Sequence, residues 1–174
     1  MAAVAEKLLK DCPIFHGLEA SDLSVIAEML RVQKMPAGWQ VLHEGDFEQA
    51  LWIISEGQCA VMKGPRETEQ QLAVLDPYSV FGEMSFFTAG PHSASVKTLK
   101  ESELLYLTRE QFEVLLQTNP KAAHRMAVNT IGILADRVRR MDEWTKNLVL
   151  SAGKDEHQAE WLEFRAKLYR DWQF

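Results

Sequence analysis

The stretch that decides the fold reads Phe81-Gly-Glu-Met-Ser-Phe-Phe-Thr-Ala-Gly-Pro-His-Ser-Ala-Ser-Val96. Gly82 permits close approach of the backbone to a neighbouring group. Glu83 to Phe87 can form one helical turn, whose free N–H groups would point at an anion. A carboxylate beside an anion is costly unless it accepts hydrogen bonds, for instance from a sugar hydroxyl. Amides for an anion together with a Glu that reads a hydroxyl suit a ribose phosphate. Glu83 also fits a plainer role, a carboxylate at a helix N-terminus paired with the amides of its own turn.

Outward from this stretch the chain is written in short strands and turns, from Arg31 to Leu107. Val32 opens a segment that ends at Pro36-Ala37-Gly38, and Trp39-Gln-Val-Leu42 is broken by Glu44-Gly45-Asp46. Leu51-Trp-Ile-Ile54 is aromatic and β-branched, Glu56-Gly57 signals a tight hairpin turn, and Cys59-Ala-Val-Met62 is the returning strand. Leu72 to Leu75, Ala94 to Leu99 and Leu104 to Leu107 read as further strands, with a polar loop from Lys63 to Gln70. Many short strands with regular turn signals predict a sandwich, jelly roll or barrel.

Helices bracket the strands. Leu23, Ile26, Ala27 and Leu30 share one helical face behind a candidate N-cap at Ser21. Thr108-Arg-Glu-Gln111 fits a capping box ahead of Phe112, Leu115 and Leu116. Asn119-Pro120 reads as an N-cap with proline at the first helical position. Ala127, Ile131, Leu134, Val138 and Met141 are spaced 4, 3, 4, 3, which is a heptad seam. The seam serves either a helix packed on its own domain or a homodimer formed through the 119–144 helix, and the two can use different faces. After the break at Ser151-Ala-Gly153-Lys-Asp comes an aromatic-rich helical segment with Trp161, Phe164, Tyr169 and Trp172. Such a segment needs to dock on its own body or on a partner. The expected organisation is one domain over residues 1–144 and a helical tail over 145–174.

At this point the chain resembles the cyclic-nucleotide-binding domain family of bacterial catabolite-type regulators, kinase regulatory subunits and gated channels. That family's phosphate-binding cassette has the form Phe-Gly-Glu-hydrophobic-Ala, a spacer, then Pro-Arg-Ala-Ala-Thr/Ser-Val. Here the corresponding residues are Phe81-Gly82-Glu83-Met84-Ser85 and Pro91-His92-Ser93-Ala94-Ser95-Val96. The likeness runs from about Phe15 to Met141 and takes in Phe15-His-Gly-Leu18, Pro36-Ala37-Gly38, Glu44-Gly45-Asp46 and the strand–Glu56-Gly57–strand unit. It implies a mainly β fold with flanking helices: a double-stranded β-helix, or jelly roll, followed by a long C-terminal helix, with ligand inside the roll. The implied ligand is cyclic AMP or cyclic GMP. By position, Gly82 and Glu83 would hold the ribose, with Glu83 accepting from the 2′-hydroxyl. The N–H groups of Met84 and Ser85 would face the cyclic phosphate, and Ser93, beside Ala94, stands where a phosphate-contacting Ser or Ala is usual.

His92 is the main departure, because the family places an Arg there to pair with the phosphate. Arg offers a permanent charge on a planar fork, whereas an unperturbed His is mostly neutral at pH 7. Losing a charge-assisted bond costs about 1.5–3 kcal/mol, or roughly ten- to a hundredfold in affinity. Three readings of His92 stand side by side: a neutral surface histidine in a pocket that no longer takes nucleotides, a weak or pH-sensitive anchor for one, or a contact for a different small anion. A second departure lies in the long helix, where Met141 or Asp142 stands near the place of a base-reading Ser or Thr and offers no hydroxyl.

Composition excludes several other classes. The chain has 174 residues, 47% hydrophobic, with net charge −6. Phosphate neutralisation dominates nucleic-acid affinity, so a nucleic-acid binder would show a basic excess. Residues 145–174 carry no two-helix pattern, so direct DNA binding is not expected. The run Arg137, Arg139, Arg140 reads as a solvated face. His16, His43, His92, His124 and His157 are scattered without a His-x-His pair, which argues against a cupin-type metal site, and no catalytic constellation is visible. Cys12 and Cys59 match no metal spacing and suggest a reducing compartment. No stretch has the length of a signal h-region or a membrane span, so the expectation is a cytoplasmic protein away from membranes. The resulting expectation is a non-enzymatic regulatory sensor whose ligand binding is weakened or lost through His92. The alternative is a ligand-free dimerisation or protein-interaction module on the same fold.

Overall fold

The structure is a computed structural model that describes residues 9–65 and 68–151, with side chains to residue 147. These residues fall into two compact units, Met1–Thr130 and Ile131–Phe174. The aromatic segment at 157–174 lies outside the described residues.

The first unit is the roll. Among the described residues eight strands form two four-stranded antiparallel sheets, ordered β1-β8-β3-β6 and β2-β7-β4-β5. The strands are β1 (Arg31–Met35), β2 (Gln40–Leu42), β3 (Ala50–Glu56), β4 (Cys59–Lys63), β5 (Gln70–Leu75), β6 (Val80–Phe81), β7 (Ser95–Thr98) and β8 (Ser102–Thr108). The jelly-roll expectation is met. The run from Ala50 to Ile54 in β3 is buried throughout, because this strand lies between β8 and β6 and both its faces are covered. Leu42, Trp52, Ile54, Phe81, Val96 and Leu104 build the interior between the sheets. Trp52 stacks on Phe81 with ring centres 6.2 Å apart and meets Tyr106 at 4.6 Å.

The sequence reading of Glu56-Gly57 as a hairpin is corrected. β3 pairs with β6 and β8, whereas β4 pairs with β5 and β7, so the two strands belong to different sheets. The turn is a corner through which the chain passes between sheets. Gly57 has φ +100°, and a Cβ there would stand 2.6 Å from the Ser102 Cα, so β8 pressed against the corner leaves room for glycine alone.

Helix α1 is Ala20–Met29 and buries Leu23 and Ile26, as the periodicity predicts. Its cap is Glu19 rather than Ser21: the ladder begins with the Leu23 N–H donating to the Glu19 carbonyl, which leaves Ser21 inside the first turn. Helix α2 is the short Glu83–Thr88 segment. Helix α3 (Arg109–Thr118) starts in a full capping box, in which the Gln111 N–H donates to Thr108 Oγ1 at 3.3 Å and the Thr108 N–H to Gln111 Oε1 at 2.8 Å. Helix α4 spans Pro120–Ser151. Asn119 Oδ1 accepts from the Ala122 N–H at 3.1 Å, and its Nδ2 donates to Asp22 of α1 at 2.6 Å, so the expected cap also ties two helices together. Ala122, Ala123, Met126 and Thr130 form the buried face of the opening turns of α4. Within the second unit, Ile131, Val138 and Met141 are exposed.

Candidate functional site

The site is built on the passage from β6 into α2. Phe81 ends β6 as a buried residue against Trp52. Gly82 follows at φ +77°, in the left-handed region, as the N-cap of α2. A Cβ here would lie 2.6 Å from the Ala50 carbonyl oxygen and 3.4 Å from Trp52 Cδ1, so glycine is needed for both conformation and space. The first bond of the helical ladder runs from the Phe86 N–H to the Gly82 carbonyl, so the N–H groups of Met84 and Ser85 precede it. Glu83 opens the helix as a buried carboxylate, 3% exposed.

The far end of α2 is held by three groups. Gln49 Nε2 donates to the Ser85 carbonyl at 3.2 Å, Arg109 Nη1 to the Phe86 carbonyl at 3.3 Å, and Phe86 meets the Phe112 ring edge-on at 5.3 Å. The short helix is therefore fastened to the β2–β3 loop on one side and to α3 on the other.

His92 is placed by its own backbone. Its N–H donates to the Asp46 carbonyl at 2.8 Å, and its carbonyl accepts from the Gly45 N–H at 2.9 Å. This double clamp to the β2–β3 loop turns the ring inward, where it is 5% exposed. The reading of His92 as a surface histidine is thus corrected, since the clamp denies it a solvent-facing position. Its Nδ1 lies 2.8 Å from Ser85 Oγ, and its Nε2 is buried without a hydrogen-bond partner. Burial lowers the pKa of the ring below the usual histidine value, while the charges of Glu48 and then Asp46 act in the opposite sense.

The remaining residues singled out from sequence are more open. Met84 and Ser93 are exposed and touch one another through Ser93 Oγ and Met84 Sδ at 3.6 Å, and Ala94 is half-buried. Phe81, Gly82, Glu83, Met84, Ser85, His92, Ser93 and Ala94 thus form one locality, in which Ser85–His92 and Met84–Ser93 are direct contacts. Sequence reading assigned Ser85 only a backbone role and treated Glu44-Gly45-Asp46 as a turn. The available signal was a coincidence: the family's Ala is Ser85 and its Arg is His92, and the structure makes these two departures a single pair.

Lys63 Nζ donates to Glu44 Oε1 and to the Ser93 carbonyl, each at 2.6 Å, and that hydrogen bond holds the Glu44 carboxyl below its ordinary pKa. Nearby lies a cleft of about 460 Å³ lined by His43, Glu44, Asp46, Gly64, Pro65, Glu69 and Ser95. Three carboxylates in that lining make it unsuited to an anion, and it includes neither Glu83 nor His92. Among the described residues no group of three or more His, Cys, Asp or Glu side chains is arranged to hold a metal ion. Among them, too, no helix is long and apolar enough to cross a membrane. Cys12 and Cys59 are free thiols whose pKa values burial pushes up to about 12 and about 11.

Known proteins share the sequence pattern and the fold. Residues 32–119 match the family described as cyclic nucleotide-binding domain, and the chain belongs to that family. It is 33% identical over 135 residues to the cyclic AMP receptor protein of Thermus thermophilus, covering 77% of this chain and 61% of that protein. The crystal structure of the Thermus thermophilus catabolite activator protein superposes with a TM-score of 0.68 at 31% identity, over 78% of this chain and 62% of that one. The regulatory domain of Toxoplasma gondii PKA, solved as a co-crystal with cAMP, gives a TM-score of 0.61 at 25% identity, over 65% and 43% of the two chains. The chain spans less than two thirds of the length of the curated relatives it matches first, 61% and 64%.

Proposed function

We propose that this chain is a non-enzymatic regulatory sensor that takes a cyclic nucleotide, cyclic AMP or cyclic GMP, in the cassette at residues 81–94, with affinity reduced by His92. The observation that carries the reading is the Gly82–Ser85 turn: a left-handed glycine, a buried Glu83 and two N–H groups ahead of the helical ladder. Glu83 would accept from the ribose 2′-hydroxyl, and the Met84 and Ser85 amides would face the phosphate, with Ser93 and Ala94 beside it. His92 replaces a fixed charge by a ring that burial keeps neutral near pH 7. The names of the relatives, a cyclic AMP receptor and a PKA regulatory domain with cAMP, support this ligand class. Ligand would act by population shift, repositioning the helices that follow the roll. The sensing unit is taken as residues 1–144, in a reducing compartment consistent with two free thiols, and residues 145–174 as its tail.

Calorimetry with cyclic AMP and cyclic GMP tests the reading, with weak binding expected. No heat and no thermal shift at millimolar nucleotide would overturn it. His92→Arg is expected to tighten binding roughly ten- to a hundredfold by restoring a charge-assisted contact.

A second reading, a ligand-free module that pairs through α4, is favoured by one observation. Ile131, Val138 and Met141 of the heptad seam are 66%, 58% and 63% exposed, an apolar row suited to a second copy of the helix. His92→Arg separates the two readings, since a module of this kind would bind no nucleotide even with the arginine present.

A further inference from the structure

The side chains of Ser85 and His92 meet in the buried interior of the cassette. The Ser85 hydroxyl has one proton to give. Its Oγ lies 3.1 Å from the Gly82 carbonyl, the back-bond a serine makes within its own helical turn, and 2.8 Å from His92 Nδ1. If that proton goes to Gly82, the ring must donate from Nδ1, and the neutral ring carries a bare lone pair on Nε2. If it goes to Nδ1 instead, Nε2 keeps its hydrogen as a buried donor with nothing to bond. Buried N–H groups without partners are the rarer defect, so the first arrangement is favoured.

We propose that Ser85 is a positioning residue that fixes neutral His92 as the Nδ1–H tautomer, so that an anion enters the cassette together with one proton bound at His92 Nε2. This rests on the nucleotide reading for the identity of the anion, a cyclic phosphodiester. A lone pair on Nε2 repels phosphate oxygens. Taking one proton from bulk solvent turns the same atom into an N⁺–H donor, and the Nδ1–H to Ser85 bond survives unchanged. No other bond forms or breaks.

The charged groups packed around the ring are consistent with this step. Desolvation disfavours the imidazolium, and Glu48 and then Asp46 of the β2–β3 loop favour it. Glu83 heads the helix that carries Ser85, and Lys63 of β4 is engaged by Glu44 and the Ser93 carbonyl. In the unliganded fold burial holds the ring below its ordinary pKa, and a bound anion would raise it. Affinity therefore rises as pH falls between the two values, by at most about tenfold per pH unit for one proton, and levels off below the lower value.

Nitrogen NMR of the histidine rings in the full unliganded chain reads the tautomer directly. The expected result is an Nδ1-protonated His92 in the wild type and in Ser85→Thr, and an Nε2-protonated ring in Ser85→Ala. An Nε2-protonated ring in the wild type, or no change in Ser85→Ala, overturns the assignment. Calorimetry with cyclic AMP in buffers of different ionisation enthalpy is expected to show uptake of about one proton per nucleotide near pH 7. Binding without proton uptake overturns the coupled step. Absence of binding, with the Nδ1–H tautomer observed, overturns the nucleotide reading and the coupled step but not the role of Ser85.

Discussion

Gly82 is the residue on which the cassette turns, because its φ of +77° and the Ala50 carbonyl beneath it each exclude a side chain. Gly82→Ala adds the left-handed penalty, about 1–2 kcal/mol, to an overpacking cost of about 1–3 kcal/mol. A loss of roughly 2–5 kcal/mol is expected from urea denaturation of the variant, together with loss of any nucleotide binding. A variant of wild-type stability would mean that the β3 backbone yields at Ala50. His92 shows how far one residue can be read from sequence. Its chemistry, a titratable ring in place of a fixed charge, was legible from its position in the cassette. Its burial was not, because that follows from the backbone clamp to Gly45 and Asp46, nearly fifty residues earlier in the chain.

At the scale of elements, local signals succeeded where the determining interactions are themselves local. The capping box at Thr108–Gln111 lies within four residues and forms as read. Thr108→Ala should cost about 1 kcal/mol, seen as a lower urea midpoint at unchanged slope. An unchanged midpoint would show that Gln111, which also donates to the Met29 carbonyl, holds the start of α3 without the threonine. The corner at Glu56-Gly57 failed as a hairpin for the converse reason. A tight turn in sequence specifies a reversal, but which strands pair afterwards depends on β7 and β8, some forty residues later. Ser21 failed as a cap because Glu19 already supplies the first carbonyl of the ladder.

At the scale of the whole molecule, the feature that calls for a partner is the apolar seam on α4. Buried positions Ala122, Met126 and Thr130 face one way, and the heptad positions Ile131, Val138 and Met141 are exposed. The full chain is expected to sediment as a dimer at high micromolar concentration, and Ile131→Asp with Val138→Asp to sediment as a monomer whose roll melts as before. A monomeric wild type would remove the seam from the proposed function.

The sequence by itself determined the strand and helix grammar, the caps of α3 and α4, the cassette and its missing arginine, because these rest on short-range periodicity and on residue types at fixed spacing. Tertiary structure alone decided which strands share a sheet, that Gly57 turns a corner, and that His92 faces inward onto Ser85. Each of these depends on contacts between residues distant in the chain, where hydrogen bonds must be satisfied and space filled at the same time.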